Sequence, residues 1–387
     1  MKRYGGIVAG IVTVLAILLA AGFKATPYNN FVLLADAFRH GRVWIDWPGA
    51  YIDALHYSNR YYVIEAPLPA VLLLPAVFVA GTAASQSFLA ALLAGVAAFA
   101  AWELGRRFAV PARTRALLCG FLLLGTDLFW CATLGDVWFI AHVAAVACTL
   151  LALLELVGAR RGWLVAILAA CAAESRFTMV LALPIYAAML WLGVGAQKDE
   201  RPGQARRVAS FVVTLVPFVL LWIGYNEVRW GVPYDIGYTA WYHQDSAGSP
   251  TGSPLRLAYL SNQLYSFFVQ GVQRQAAFPY VVPGFGGQAL TWTSPALLLA
   301  FFARRPRRLV LWLWLLTVVC AAPNFVYYVN GYAQFGMRHA LDFEPYLIAL
   351  MLLAARNGLS PIWLGLCSYS IFVGAWGVWF WRTFVRQ

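Results

Sequence analysis

Apolar runs of about 17 to 20 residues recur from one end of the chain to the other, each long enough to cross a hydrocarbon core of roughly 30 Å as a helix. The first follows Met1-Lys2-Arg3 and reaches Gly22; others fall at 84–104, 116–133, 137–158, 208–227, 289–303, 309–328, 341–356 and 362–380, with a short hairpin over 163–196. The run at 66–82 carries Pro67, Pro69 and Pro75 and is read as a re-entrant or interfacial segment, since counting it as a span leaves the next basic loop on the wrong side. The pattern predicts an all-α polytopic membrane protein of about eleven transmembrane helices, a single membrane domain over residues 1–387.

Composition excludes a soluble alternative: 62% of the 387 residues are hydrophobic and 11% charged, against roughly 25% charged in ordinary soluble domains. A net charge of +12 would suggest nucleic acid in a soluble protein. Here the basic residues cluster in short turns, so they are topology signals and no nucleic-acid partner is expected. Those turns are 105–115 with Arg106, Arg107, Arg113 and Arg115, then Arg160-Arg161, 197–207, and Arg304 to Arg308. The positive-inside rule places them in the cytoplasm, with the N-terminus inside on an uncleaved first helix and the C-terminus outside. The six cysteines lie within apolar runs without paired spacing and read as small core residues.

Acidic residues divide differently. Nine of the sixteen (Asp36, Asp46, Asp53, Glu65, Asp136, Glu227, Asp235, Asp245, Asp342) fall in loops or span ends opposite the basic turns. Asp and Glu contribute little to topology, so this asymmetry points to chemistry on the non-cytoplasmic side.

Two long loops stand out on that side, residues 24–65 and 228–288. In the first, Phe31, Leu34 and Phe38 share one helical face, Asn29 or Asn30 can cap it and Gly41 can end it, which predicts an interfacial helix. The second holds Trp230, Tyr234, Tyr238, Trp241, Tyr242 and His243, a Ser/Gly/Pro linker, and an amphipathic stretch from Leu255 to Val269. Rings beside polar groups suit either a sugar surface or an aromatic belt at headgroup level. A third segment, Tyr327 to Pro345, brings Arg338 and His339 to the membrane edge beside Asp342. They can pair with Asp342 or snorkel, or they can hold a lipid phosphate, for which arginine has the fork geometry. Asp127, Asp136, His142, Glu174 and Arg176 are further ionisable groups within or near spans, candidates by default for function or helix pairing.

Taken in order, LADAFRHGRVWID, NRYYVIEAPLPAVLLLP, GTDLFWCATLGDVWFIAHV, ESRFTMVLALP, YNEVRWGVPYDIGY, FPYVVPGFGGQALTWTSPALLL and GMRHALDFEPYL resemble successive blocks of the GT-C superfamily of polyprenyl-phosphate-sugar-dependent glycosyltransferases. The likeness covers most of the chain and is nearest the bacterial protein O-mannosyltransferase-like and aminoarabinose-transferase-like branch. It implies a GT-C-like fold in the inner (plasma) membrane with the active site facing the periplasm or exterior. It further implies a polyprenyl-phosphate sugar donor, a glycan, lipid or protein acceptor, and a carboxylate in the first loop that takes the acceptor proton. General-base help of that kind is worth roughly 10² to 10⁴ in rate.

The family carries an acidic residue directly after the first span, whereas FKATPYNNF here has no carboxylate before Asp36. The resemblance therefore leaves three candidate bases, Asp36, then Asp53, then Glu65, each able to form a structural ion pair with Arg39, Arg42 or Arg60 instead. It implies Arg338, His339 and Arg60 toward the donor phosphate, and Asp136, Tyr61, Tyr62, Tyr238, Trp241 and Asp342 toward the substrates. No cofactor is called for, no metal site is assigned, and neither a P-loop nor a Rossmann fingerprint is present. A transporter or flippase, a lipid-linked glycan ligase or polymerase, and a non-catalytic scaffold are the competing readings. No inverted repeat relates the two halves, as transport would favour.

Overall fold

The computed structural model describes residues 4–46, 54–195 and 203–385. In chain order the helices are α1 (Gly5–Ala21), α2 (Asn30–Arg39), α3 (Leu68–Ala80), α4 (Gln86–Arg107), α5 (Ala112–Leu124), α6 (Leu128–Leu134), α7 (Val137–Leu156) and α8 (Gly162–Ala173). They continue with α9 (Ala182–Trp191), α10 (Gln204–Trp230), α11 (Gly237–Gln244), α12 (Leu260–Phe268), α13 (Leu290–Thr293), α14 (Arg307–Phe325), α15 (Glu344–Ala354) and α16 (Pro361–Phe384). Short 3₁₀ turns at Phe177–Leu181, Pro295–Phe302 and Arg338–Asp342 interrupt the pattern. Two antiparallel hairpins, β1 (Leu55–Tyr57) with β2 (Arg60–Tyr62) and β3 (Gln273–Arg274) with β4 (Val281–Val282), qualify the all-α expectation. The first turns at Ser58-Asn59, both with positive φ (47° and 60°), the primed turn that matches the twist of a two-residue hairpin.

Helix α7 is the centre of the bundle, buried along nearly its whole length against α4, α6, α8 and α15. Small residues set how closely the helices approach. A Cβ built on Gly10 of α1 or on Gly95 of α4 would stand 3.0 Å from the other's carbonyl oxygen, and α4 buries Ala91, Ala94, Ala98 and Ala101 along its length. Without a hydrophobic drive between helices in lipid, such close backbone packing is a main source of cohesion. By contrast α10 is almost entirely exposed along its apolar length, with Val213, Val216 and Leu220 facing outward, which is where lipid contacts it.

Among the described residues five helices are long and apolar enough to cross a membrane, six when the α5–α6 pair is counted, and four shorter apolar stretches accompany them. The eleven full spans of the hydropathy reading are thus not all regular helices. The expected span 116–133 is bent by 57° between α5 and α6, where Thr126 Oγ1 donates to the Leu122 carbonyl (2.7 Å) and accepts from the Leu128 amide (3.2 Å). A side chain that competes for backbone partners in this way breaks a helix. The expected span 289–303 is α13 followed by the 3₁₀ turn that starts at Pro295, whose missing N–H cannot continue an α-helix. Helix α3 has 13 residues with Pro75 inside, roughly 20 Å of rise, short of the bilayer core.

The segments 24–65 and 228–288 meet at one end of the bundle, here termed the loop end. Tyr62 packs on Trp230 at 4.9 Å, and Gln244 Nε2 donates to the His56 carbonyl. The helix expected from Phe31 and Leu34 is α2, which ends at Gly41 (φ 70°); both residues are fully buried among residues of α3, α4 and α7, so the face expected to lie in an interface packs on the protein.

Candidate functional site

Two polar clusters lie near each other toward the loop end, both built where helices break. The first centres on Asp342, the last residue of the 3₁₀ turn before α15, which is completely buried. Arg176, at the extended break after α8, grips it with two parallel bonds, Nε to Oδ1 at 3.0 Å and Nη2 to Oδ2 at 2.9 Å. Thr178 Oγ1 (2.8 Å) and Asn324 Nδ2 (3.1 Å) donate to Oδ2, and His142 Nδ1 meets Oδ1 at 3.1 Å. A carboxylate can only accept, so His142 carries its proton on Nδ1. His339 Nδ1, 3.3 Å from Arg176 Nη2, must accept and so carries its proton on Nε2. The two imidazoles lie edge to face at 5.5 Å.

The second cluster closes a cavity of about 270 Å³ between α8, the 3₁₀ turn Phe177–Leu181 and α10. Its walls are apolar, with Leu183, Leu215, Phe218 and Trp222 among them, and its polar groups are Glu174, Tyr225, Arg229, Asp235 and Tyr238. Arg229 lies between the Tyr225 and Trp230 rings, its guanidinium carbon 4.0 and 4.6 Å from their centroids. It donates to Asn226 Oδ1 at 2.9 Å and to the Val63 carbonyl at 3.4 Å, and reaches Asp235 Oδ1 only at 3.5 Å. Its buried Nε has no partner among the described residues. Asp235 instead spends its Oδ1 on Trp230 Nε1 (3.0 Å) and the Gly237 amide (2.9 Å).

Tyr238 joins the clusters: it lines the cavity and lies within electrostatic reach of Arg176, Glu65, Tyr327 and Asp235. Burial pushes its phenol well above the usual range, although Arg176 pulls the other way, so the hydroxyl stays a donor. Tyr327 is raised to about 12 for the same reasons.

The residues singled out in the sequence separate into three groups. Glu65, 7% exposed, sits between the cavity-lining Ile64 and Ala66 and within reach of Tyr238 and Tyr327. Asp342, His339 and Arg338 belong to the buried cluster or its rim; Arg338 donates to Gln334 Oε1 (2.7 Å) and lies over the Phe139 ring at 5.5 Å. Asp36 is a quarter exposed on α2 with His40 as its ion-pair neighbour at 3.7 Å. Asp136 is buried at the start of α7, where Thr26 donates to it and so ties the segment after α1 to the bundle. Arg60 stacks on Trp44 at 3.7 Å, and Tyr61 packs on His56 at 4.9 Å. Tyr62 is a core residue on Trp230, and Trp241 packs half-buried on the same small cluster. Asp53 lies outside the described residues.

Arg229 was not singled out, and Asp235 only as one of the nine acidic residues opposite the basic turns. The available signal was Asn226 and Arg229 three residues apart at the end of an apolar helix, followed by Asp235.

No protein-family profile matches the chain, and no curated protein sequence does. Solved structures do match its fold. One is ArnT from Cupriavidus metallidurans bound to undecaprenyl phosphate, at a TM-score of 0.57 and 18% identity over 94% of this chain and 62% of that one. A second is the Archaeoglobus fulgidus oligosaccharyltransferase tethered to an acceptor peptide, at 0.53 and 14% identity over 97% and 55%. A third is the archaeal oligosaccharyltransferase AglB from Archaeoglobus fulgidus in complex with an inhibitory peptide and a dolichol-phosphate, at 0.54 and 14% over 97% and 56%. The chain thus spans less than two thirds of each of these proteins. Their shared architecture is the GT-C fold, and the fold of this chain is the same.

Proposed function

We propose that this chain moves a sugar from a polyprenyl-phosphate donor to an acceptor hydroxyl, by inverting displacement with a carboxylate base. The observation that carries the reading is the cavity against α10. Its apolar walls lie beside the helix with the most lipid-exposed surface, and its polar end presents an arginine whose charge is loosely neutralised. An isoprenoid tail suits the walls, and a phosphate suits a guanidinium fork with a phenol donor beside it. The matched structures support this, two of them holding a polyprenyl or dolichol phosphate on the same fold.

In this scheme Glu65 takes the proton of the acceptor hydroxyl as its oxygen attacks C1 from the face opposite the phosphate. The C1–O bond to phosphate breaks with inversion, and the lipid phosphate departs carrying the bond's electron pair. Arg229 and Tyr238 hold that phosphate, while Arg338 adds positive charge and the Nε2–H of His339 a donor from the neighbouring cluster, a preorganised field for charge that develops on the leaving group. Glu65 is preferred to Asp36 because its neighbours in the chain line the cavity, whereas Asp36 pairs with His40 on α2. Asp53 is the remaining choice. The positive-inside rule puts the arginine-rich turns in the cytoplasm and hence this chemistry on the periplasmic or exterior side. The sugar and the acceptor, whether glycan, lipid or protein, are read from transfer assays.

Glu65→Gln is expected to lower transfer from a polyprenyl-phosphate sugar by roughly 10² to 10⁴, with donor binding retained, while Asp36→Asn keeps most of its activity. Loss in Asp36→Asn with activity retained in Glu65→Gln would move the base to α2.

A further inference from the structure

Helix α12 and the turn before it carry an apolar stripe that the protein leaves uncovered. Leu257 is 79% exposed, and Leu260, Leu264 and Phe268 follow at helical spacing, all more than a third exposed. The opposite face packs on the protein. Gln263 Nε2 donates to the Tyr327 carbonyl (2.9 Å), Ser266 Oγ accepts from Asn330 Nδ2 (2.6 Å), and Phe267 packs on Phe325 and Phe343 at 5.0 and 6.2 Å. The stripe is therefore not a core face displaced from its partner.

Its continuity identifies what covers it. On α14, Leu311, Leu315 and Val318 are exposed along the apolar length of a helix able to cross the bilayer, and that surface is lipid-facing. At the top of α14, Phe325 meets the Phe268 ring at 6.0 Å, and the chain just past it pairs with residues 254–256, the Arg256 amide to the Val326 carbonyl and the Tyr328 amide to the Pro254 carbonyl. The stripe of α12 thus continues the lipid-facing stripe of α14 without a gap. Charge agrees: from Leu255 to Val282 there is no acidic residue, and Arg256 and Arg274 are exposed on either side of the helix. Tyr265 on α12 and Trp292 on α13, which packs against α12, are exposed, the aromatic setting of a headgroup boundary.

We propose that α12 is a lipid-seated strut. Its stripe lies in the headgroup boundary of the leaflet at the loop end, its arginines meet anionic headgroups, and its other face fixes the Tyr327–Phe343 segment that carries Arg338, His339 and Asp342. An amphipathic helix with basic flanks binds an anionic interface in this manner. The inference needs only that the chain spans a membrane and stands apart from the sugar-transfer reading.

The test is nitroxide accessibility in nanodiscs of phosphatidylcholine and phosphatidylglycerol. The half-buried Cys148 and Cys171 are replaced by alanine, the other four native cysteines being buried, and a label is placed by Leu264→Cys. Thr251→Cys, exposed in the Ser/Gly/Pro linker, is the aqueous reference. The ratio of collisions with oxygen to collisions with a water-soluble nickel chelate is expected to be several-fold higher at 264 than at 251. Leu257→Cys, at a side chain that packs on almost nothing, repeats the reading without risk to the fold. A ratio at 264 and 257 equal to that at 251 overturns the proposal. So does low collision with both reagents, which would mean that a protein, including a second copy of the chain, covers the stripe.

Discussion

Arg176 and Arg229 both sit below the loop end among apolar helices, yet their surroundings are opposite. Arg176 faces a fully buried carboxylate that draws hydrogen bonds from three other side chains as well as from Arg176, so its charge is matched inside the protein. Arg229 has two long contacts, one of them to the Asp235 carboxylate at 3.5 Å, one short bond to a neutral amide, and an Nε with no partner among the described residues, and it borders a cavity that Glu174 also lines. A charge satisfied by its own protein holds structure; one that is under-satisfied beside empty space is set for a ligand that brings the missing charge.

The strongest way to break this contrast is Asp342→Asn. The side chain keeps its size but leaves the Arg176 guanidinium buried without a counter-ion, a loss of about 3 to 5 kcal/mol for a broken buried pair. The expected readout is a marked drop in thermal unfolding temperature in nanodiscs, or failure to accumulate. A variant as stable as the parent that has lost only donor binding would make Asp342 part of the ligand site.

Next in size is Arg229→Gln. Charge-assisted hydrogen bonds contribute about 1.5 to 3 kcal/mol, so KM for the lipid donor is expected to rise roughly ten- to a hundredfold with unfolding temperature little changed. Arg229→Lys keeps the charge but loses the fork, and falls between the two. If Arg229→Gln destabilises as Asp342→Asn does, the contrast between the two arginines fails.

How far the sequence reaches follows the same division. The membrane class, α2 with its buried Phe31 and Leu34, and the polar segment around Arg338 to Asp342 are legible because each is a local pattern of spacing or composition. The partner of Asp342 is not, since Arg176 lies 166 residues away and nothing in either neighbourhood encodes the pairing. Hydropathy windows overlook the bend at Thr126 and the turn at Pro295 because they sum apolarity and ignore where a side chain takes a backbone partner. Arg229 escaped notice because an arginine at the end of an apolar helix reads as an interfacial anchor. Only the cavity beside it separates the two meanings.

Tyr238 offers the finest cut, since it borders both arginines. Removing its hydroxyl by Tyr238→Phe keeps the ring against the cavity and deletes one donor, worth about 1 kcal/mol or roughly a fivefold rise in donor KM. Burial raises the phenol above its ordinary range, with Arg176 opposing, so the group is protonated from neutral to mildly alkaline pH in the folded protein. The fold-change between parent and Tyr238→Phe is therefore expected to be the same across that range, measured as donor KM at several pH values. A difference that fades as pH rises would mean that the phenol ionises there, and that Arg176 faces Tyr238 with charge to spare rather than being spent on Asp342.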